Sequence, residues 1–298
     1  KSNTMTIQND NSNKVLLAGA TGYLGQHLVQ SMQKRSINFS AIARKPEKLY
    51  NLGLSPHQII TAEVTKPLTF IGQFEGCDTL ISTVGITRQK DGLSYMDVDY
   101  QANVNLLQEA IKAGVKKFVY VSVLNGQFHR DLKILEAKEK FVDLLKSSGL
   151  DYIVIRPNGF FSDMGDFLEM AKGGRVYLFG DGNNKVNPIH GADLANVILD
   201  ELYQANVEIE VGGPDILMHN EIAELALTLF AKRRRITHFP DWLRTAAIWL
   251  LRMLSSPKFY GPYEFFLTMM AEDQIAPRYG VRRLSAHFIE EADRIMKS

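Results

Sequence analysis

An apolar run, Val15-Leu16-Leu17-Ala18, breaks directly into Gly19-Ala20-Thr21-Gly22-Tyr23-Leu24-Gly25 and then into a helical pattern with Leu28, Val29 and Met32 on one face. A strand, a glycine-rich turn and a helix in that order constrain this chain more than any other feature. Gly19 permits the tight turn. Gly22 lets backbone approach a pyrophosphate with no Cβ in the way, and Gly25 lets the helix lie close on the strand. The helix's unpaired N–H groups and positive dipole end then face the phosphates. A glycine motif alone arises often by chance; the strand before it and the amphipathic helix after it identify a dinucleotide-phosphate loop. Gly19, Thr21, Gly22, Tyr23, Leu24 and Gly25 are the residues expected to hold the cofactor there.

The alternation continues. Apolar, β-branched stretches at residues 38–43, 59–64, 79–84, 117–123 and 152–156 read as strands. Between the fourth and fifth strands Val104, Leu107 and Ile111 recur at helical spacing until Gly114, and residues 136–148 form the next helix, closed by Gly149. Strands alternating with helices imply an α/β fold, a Rossmann-type doubly wound parallel sheet with helices on both faces. Right-handed crossovers place all strand C-termini on one edge, where ligands bind. Past Pro157, which is expected to stop the sixth strand, Gly173, Gly174, Gly180, Gly182, Gly212 and Gly213 punctuate shorter elements. Helices are expected near 193–202 and 220–230, with Asp193 and Asn220 as N-caps. The division expected is a disordered tail at 1–13, a NAD(P)-binding domain at 14–157, and a smaller substrate-facing lobe at 158–298 that continues the same unit without a clean linker.

Charge and cysteine usage exclude several functions. Thirty-four Lys and Arg balance 33 Asp and Glu, which gives no electrostatic reason to expect nucleic acid as partner. The single cysteine, Cys77, rules out an internal disulfide, fits a reducing compartment and is expected to be structural. Residues 1–13 are polar and lack the apolar centre of a secretion signal, so the cytoplasm is the expected location. No run approaches the roughly 18 apolar residues that span a bilayer. Lys232-Arg233-Arg234-Arg235 reads as a solvated helix end, and no paired ligand spacing suggests a metal; His190 and Asp193 do not make one.

The end of the second strand separates NADP from NAD. An acidic residue there would hold a ribose 2′-hydroxyl. The chain has Ala43-Arg44-Lys45-Pro46 instead. Arg44 and Lys45 suit a 2′-phosphate, the guanidinium in bidentate fashion. A merely solvated basic loop is the alternative; NADP is expected, with NAD left open.

These residues resemble those of a known family. Residues 15–25 (VLLAGATGYLG) resemble the opening of extended and atypical short-chain dehydrogenases/reductases, with the NmrA-like branch nearest. Residues 98–107 (VDYQANVNLL), 115–122 (VKKFVYVS), 148–157 (SGLDYIVIRP), 191–195 (GADLA) and 211–214 (VGGP) resemble later segments of that family in the same order. The resemblance covers roughly residues 14–230. It implies that Arg44 reads the phosphate and that Glu63 and Val64 cradle adenine. It further implies that Thr83, Val84 and Gly85 line ribose and pyrophosphate, and that Pro157, Asn158, Gly159 and Phe160 wall the nicotinamide.

The same resemblance breaks at the active site. Members with full dehydrogenase chemistry carry Tyr-x-x-x-Lys after a strand ending in Ser. Lys138 matches the lysine, but Ile134 stands where the tyrosine would be, and an aliphatic side chain exchanges no proton. Ser122 lies near the serine position, or one residue early, which would leave Val123 there. Lys138 and Ser122 are the catalytic candidates, with Lys138 also able to hold ribose hydroxyls. Tyr100, His129 and His190 are the candidates for a replacement acid.

Residues 242–270 form an unusually apolar region, with Trp242, Leu243, Ala246 and Leu251 interrupted by Arg244 and Arg252, and Tyr260, Tyr263, Phe265, Phe266, Met269 and Met270 following. Its first apolar segment, Trp242 to Leu254, is at about 13 residues too short to span a membrane. It can cover the core, form a lid over a large apolar substrate, or lie on a membrane surface with the arginines snorkelling. The reading expected from the whole is an NADP-dependent oxidoreductase reducing a bulky apolar carbonyl, quinone or alkene. A non-catalytic NADP(H)-binding sensor or assembly factor is the alternative, and a nucleotide-sugar-type epimerase or isomerase is the third.

Overall fold

The run Val15–Ala18 forms β1, and its side chains divide by parity: Val15 and Leu17 enter one core, Leu16 and Ala18 the other. A strand covered on both faces is apolar throughout, which is why the pattern reads as a run and not as an alternation. The computed structural model describes residues 14–86, 92–230 and 235–297. After β1 come α1 (Tyr23–Lys34), β2 (Phe39–Ala43), α2 (Glu47–Tyr50), β3 (Ile59–Thr61), β4 (Thr79–Ser82), α3 (Asn103–Lys112), β5 (Lys117–Val121), α4 (Lys133–Lys146) and β6 (Asp151–Pro157). The second half runs α5 (Gly165–Lys172), β7 (Arg175–Phe179), β8 (Lys185–Val186), α6 (Gly191–Asp200), β9 (Val207–Val211), β10 (Leu217–Met218) and α7 (His219–Phe230). It closes with β11 (Arg235–Phe239), α8 (Asp241–Leu254), α9 (Pro257–Met269) and α10 (Leu284–Lys297).

Seven strands form a parallel sheet in the order β3-β2-β1-β4-β5-β6-β9. Leu28, Val29 and Met32 of α1 and Leu194 and Ile198 of α6 cover one face; Leu106 and Leu107 of α3 and Phe141 and Leu145 of α4 cover the other. Chain travel reverses between β1 and β4, so the strand ends diverge there. Sequence past Pro157 rejoins this sheet, through β9 beside β6 and α6 against α1. A third core, with Phe161, Phe167, Val176, Ile222, Leu227 and Phe288, holds α5, β7, α7 and α10 together.

The structure corrects several expected boundaries. β3 stops at Thr61, β4 at Ser82 and β5 at Val121, short of 64, 84 and 123. The first two stop level with their partners: Thr61 pairs with Ala43, the last residue of β2, and Ser82 with Ala18, the last of β1. Pro157 is the last residue of β6 and does not stop it early. A π-helical turn, Met96–Ala102, precedes α3 and shifts its register. Asp193 and Asn220 do not cap their helices. His190 caps α6, its Nδ1 accepting the Ala192 N–H at 3.1 Å. Asp193 instead accepts the backbone N–H groups of Val281 and Arg282 and pairs with the Arg282 guanidinium. Asn220 lies inside α7 and donates to the Asp181 carbonyl at 2.9 Å. Tertiary partners took both side chains from the local role. Residues 1–13 and 232–234 lie outside the described residues; Arg235 is exposed and opens β11. Cys77 is buried, and burial pushes its thiol up. Among the described residues no helix is long and apolar enough to cross a membrane, and no group of acidic, histidine or cysteine side chains could hold a metal.

Three imidazoles, His27 of α1, His190 and His287 of α10, meet behind the glycine turn, with ring centroids 5.1 and 6.0 Å from that of His190. Burial lowers all three, and lowers His190 from 6.5 to about 4, with His27 and Arg282 adding to the shift and Asp193 opposing it. The folded chain keeps His190 neutral, whereas the unfolded chain takes up a proton near 6.5. This contribution is therefore complete above pH 6.5 and lost as pH falls toward 4. Urea midpoints are expected to fall across that window, and less so in His190→Asn, which keeps a capping acceptor. Equal slopes in the two proteins would exclude His190 as the group that acid attacks.

Candidate functional site

Where the strand ends diverge, the C-terminal edge of the sheet holds a cavity of about 370 Å³. The β1–α1 turn contributes Gly19, Thr21 and Gly22, and the end of β2 contributes Ile42, Ala43 and Arg44. Ala62, Glu63, Val64 and Thr65 follow β3, Thr83, Val84, Gly85 and Ile86 follow β4, and Leu93 and Val98 complete the wall. Nine of the residues expected at a cofactor are thus brought together: Gly19, Thr21, Gly22, Arg44, Glu63, Val64, Thr83, Val84 and Gly85.

Steric room explains the glycines. Gly19 has φ +85°, and a Cβ there would lie 2.4 Å from Thr83 Oγ1. The Thr83 hydroxyl lies 3.2 Å from the carbonyls of Ala18 and Gly19, tying the turn to the end of β4. A Cβ on Gly25 would sit 2.1 Å from the Gly19 carbonyl oxygen, so α1 can approach β1 only with glycine at this position. A Cβ on Gly22 would approach only that oxygen, at 3.3 Å, and otherwise project into open space. The turn is a cradle whose volume side chains would fill, at a helix N-terminus, and it fits a pyrophosphate. The Lys66 hydrogen bond, with smaller contributions from Thr65 and Arg44, holds the Glu63 carboxyl below its ordinary range.

The remaining expected residues take other places. Leu24 is core, and the Tyr23 hydroxyl accepts the Gly191 N–H at 3.1 Å while its ring packs on Phe160. Lys45 is exposed and does not line the cavity. Pro157 is buried, and Asn158 is spent within the fold, donating to Asn187 Oδ1 at 2.8 Å and to the Gln274 carbonyl at 2.6 Å.

Lys138 of α4 does not line the cavity but stands behind its Gly85 wall. Its Nζ pairs with Asp99 Oδ1 at 2.9 Å, and both atoms crowd Gly85, where a Cβ would lie 2.6 Å from the carboxylate and 2.9 Å from the ammonium. Asp99 also accepts the Ile86 N–H at 3.2 Å. Burial pushes Asp99 and Tyr120 up. Burial alone would discharge Lys138, but Tyr120 and Asp99 outweigh it and hold the ammonium above the ordinary lysine range. Asn103 braces this wall, accepting from Ser82 at 2.5 Å and donating to the carbonyls of Val84 and Asp99. Sequence reasoning missed Asp99. It sits in the π-helical turn, which breaks the 3.6-residue period; its only signal was its place in the 98–107 segment.

Ser122 does not join the cavity. It is buried, and its hydroxyl donates to Glu139 at 2.6 Å, a carboxylate that Arg156 holds in bidentate fashion at 2.8 Å. Val123 packs beside Ile134, which is buried against Tyr95, Leu132 and Leu135. Tyr100 lies under the Lys140 ammonium, 4.6 Å from ring centroid to Nζ; His129 pairs with Glu272 at 2.6 Å; His190 caps α6. Among the described residues none of these three lines the cavity.

Comparison with known proteins accords with this geometry. Residues 19–205 match the model of a family described as NAD(P)H-binding. The chain is 29% identical over 258 residues to the chloroplastic divinyl chlorophyllide a 8-vinyl-reductase of Zea mays, covering 80% of this chain and 64% of that relative's length. It is 25% identical over 231 residues to the photosystem II assembly factor Ycf39 of Guillardia theta, covering 76% of this chain and 73% of that protein. A crystal structure of isoflavone reductase shares the fold, with a TM-score of 0.72 at 18% identity over 94% of this chain and 99% of that one. The phosphate cradle, the switch-point cavity and the matched span place the chain in the NAD(P)H-binding family, on a Rossmann-type parallel sheet.

Proposed function

We propose that this protein is an NADP(H)-dependent oxidoreductase that reduces a bulky apolar carbonyl, quinone or alkene. Arg44 carries the cofactor half of that reading. It lines the cavity at the end of β2, where a carboxylate would select NAD and where this chain has none. A bound cofactor would supply the hydride; the chain's residues bind and orient. The backbone N–H groups of the glycine turn face a pyrophosphate, and Arg44 a 2′-phosphate. Lys138, locked by Asp99 beside Gly85, offers a fixed positive charge where ribose hydroxyls would lie. Ile86, Leu93 and Val98 give part of the wall an apolar character that suits a water-poor substrate. Similarity to an enzyme named for reducing a vinyl group supports the alkene among these substrates. The single buried cysteine supports a reducing compartment such as the cytoplasm.

Ile134 favours a second reading, a non-catalytic NADP(H)-binding assembly factor, which similarity to Ycf39 also supports. An epimerase would need the proton exchange that Ile134 cannot perform. Separate titrations with NADPH and NADH, read by nicotinamide fluorescence and followed by turnover with quinones and apolar enones, distinguish these readings. Tight NADPH binding with turnover supports the reductase; binding without turnover supports the assembly factor. Arg44→Ala is expected to weaken NADPH by roughly ten- to a hundredfold with little change for NADH. Equal losses would remove the 2′-phosphate assignment.

A further inference from the structure

Helix α8 is amphipathic in the wrong direction for a helix that only covers a core. It has no buried residue. Its half-buried side, including Leu243, Ala247 and Ile248, faces the protein; its exposed side carries Trp242, Ala246, Trp249, Leu250, Met253 and Leu254. Spacings of three and four place these on one stripe, with Trp242 66%, Trp249 61%, Met253 64% and Leu254 76% exposed. The two arginines of the helix are drawn into internal pairs, Arg244 with Asp241 and Arg252 with Glu264. A contiguous apolar stripe turned to solvent marks an interaction surface. Its side chains point outward and do not line the cavity.

Charge identifies the occupant. Residues 235–258 carry four Lys and Arg, Arg235, Arg244, Arg252 and Lys258, against one acid, Asp241. An apolar stripe rich in Trp, Leu and Met within a basic segment complements an anionic lipid surface, with the tryptophans at headgroup level. At 14 residues the helix is about 21 Å long, too short to cross a bilayer and suited to lying in its plane. Helix α9 continues inward from α8: its Phe265 and Met269 pack on the cluster of Tyr95, Leu132 and Ile134, as does Ile86, which lines the cavity. We propose that α8 docks in the plane of an anionic bilayer and that the α8–α9 pair sets the site beside the lipid, from which an apolar substrate enters. Docking stands on the surface alone; substrate entry rests on the oxidoreductase reading.

The chain's two tryptophans both lie on this stripe, so intrinsic fluorescence reports on α8 alone. Vesicles of phosphatidylcholine with phosphatidylglycerol are expected to shift the emission to the blue and to carry the protein down on sedimentation. Vesicles of phosphatidylcholine alone should do so more weakly, and salt should reduce the difference. The pair Leu250→Glu and Met253→Glu keeps both tryptophans and touches no buried side chain. It is expected to lower partitioning at least about tenfold with an unchanged circular dichroism spectrum. Absence of both shift and sedimentation overturns the proposal. So does a blue shift that grows with protein concentration without lipid and accompanies a doubled mass, since a second copy would then cover the stripe. NADPH titration of the same samples separates the two readings: vesicle binding without NADPH binding keeps docking and removes the reductase, and the reverse removes docking alone.

Discussion

Gly25→Ala is expected to abolish NADPH binding and to destabilise the fold by about 3 kcal/mol, the upper end of overpacking losses. The added Cβ would lie 2.1 Å from the Gly19 carbonyl oxygen and 2.7 Å from the Ala20 Cα. Both neighbours are backbone, so no rotamer change relieves the clash; α1 must lift from β1 and the phosphate cradle opens. Gly149→Ala is the control. Gly149 also has an unusual backbone, φ +85°, but a Cβ there would meet nothing within 4 Å. That variant is expected to lose only about 1 kcal/mol, the left-handed penalty, and to bind NADPH as the parent does. Urea unfolding and nicotinamide fluorescence measure both quantities. Parental NADPH binding by Gly25→Ala would remove the phosphate role from the turn.

Asp99→Ala is expected to cost about 3–5 kcal/mol, because it strands the Lys138 ammonium in a buried site without its carboxylate. Lys138→Met strands the carboxylate instead. Burial already raises Asp99, so without Lys138 it takes a proton to stay neutral. A group with a raised folded pKa contributes fully at low pH and loses that contribution as pH rises, so the Lys138→Met deficit is expected to shrink in acid. The double variant Asp99→Leu/Lys138→Met, with neither charge present, should recover much of either single loss. Urea midpoints of the four proteins at neutral and acidic pH close the cycle. Strictly additive losses would mean that the two groups do not act as a pair, and would remove the fixed charge assigned to Lys138 beside Gly85.

What sequence alone determined is local. The phosphate turn was legible because its physics is confined to a strand, three glycines and the first turns of a helix, and each position answers to a steric demand within that stretch. The parallel sheet was legible because strands covered on both faces must be apolar runs and helices between them must be one-sided; Leu16 and Leu17 already imply two cores. Arg44's place in the cavity wall was legible because the end of the strand after the glycine turn must fall beside that turn. Tertiary structure decided the rest. Ser122 looked like a reacting hydroxyl until the fold brought Glu139 and Arg156 over it. Asp193 looked like a cap until Arg282, distant in the chain, paired with it. Asp99 gained its role only when α4 carried Lys138 to it, and the stripe on α8 could have faced core, cavity or solvent. Side-chain chemistry and periodicity are written within a few turns of chain, whereas partnership is a property of three-dimensional neighbours that packing of the whole sheet selects.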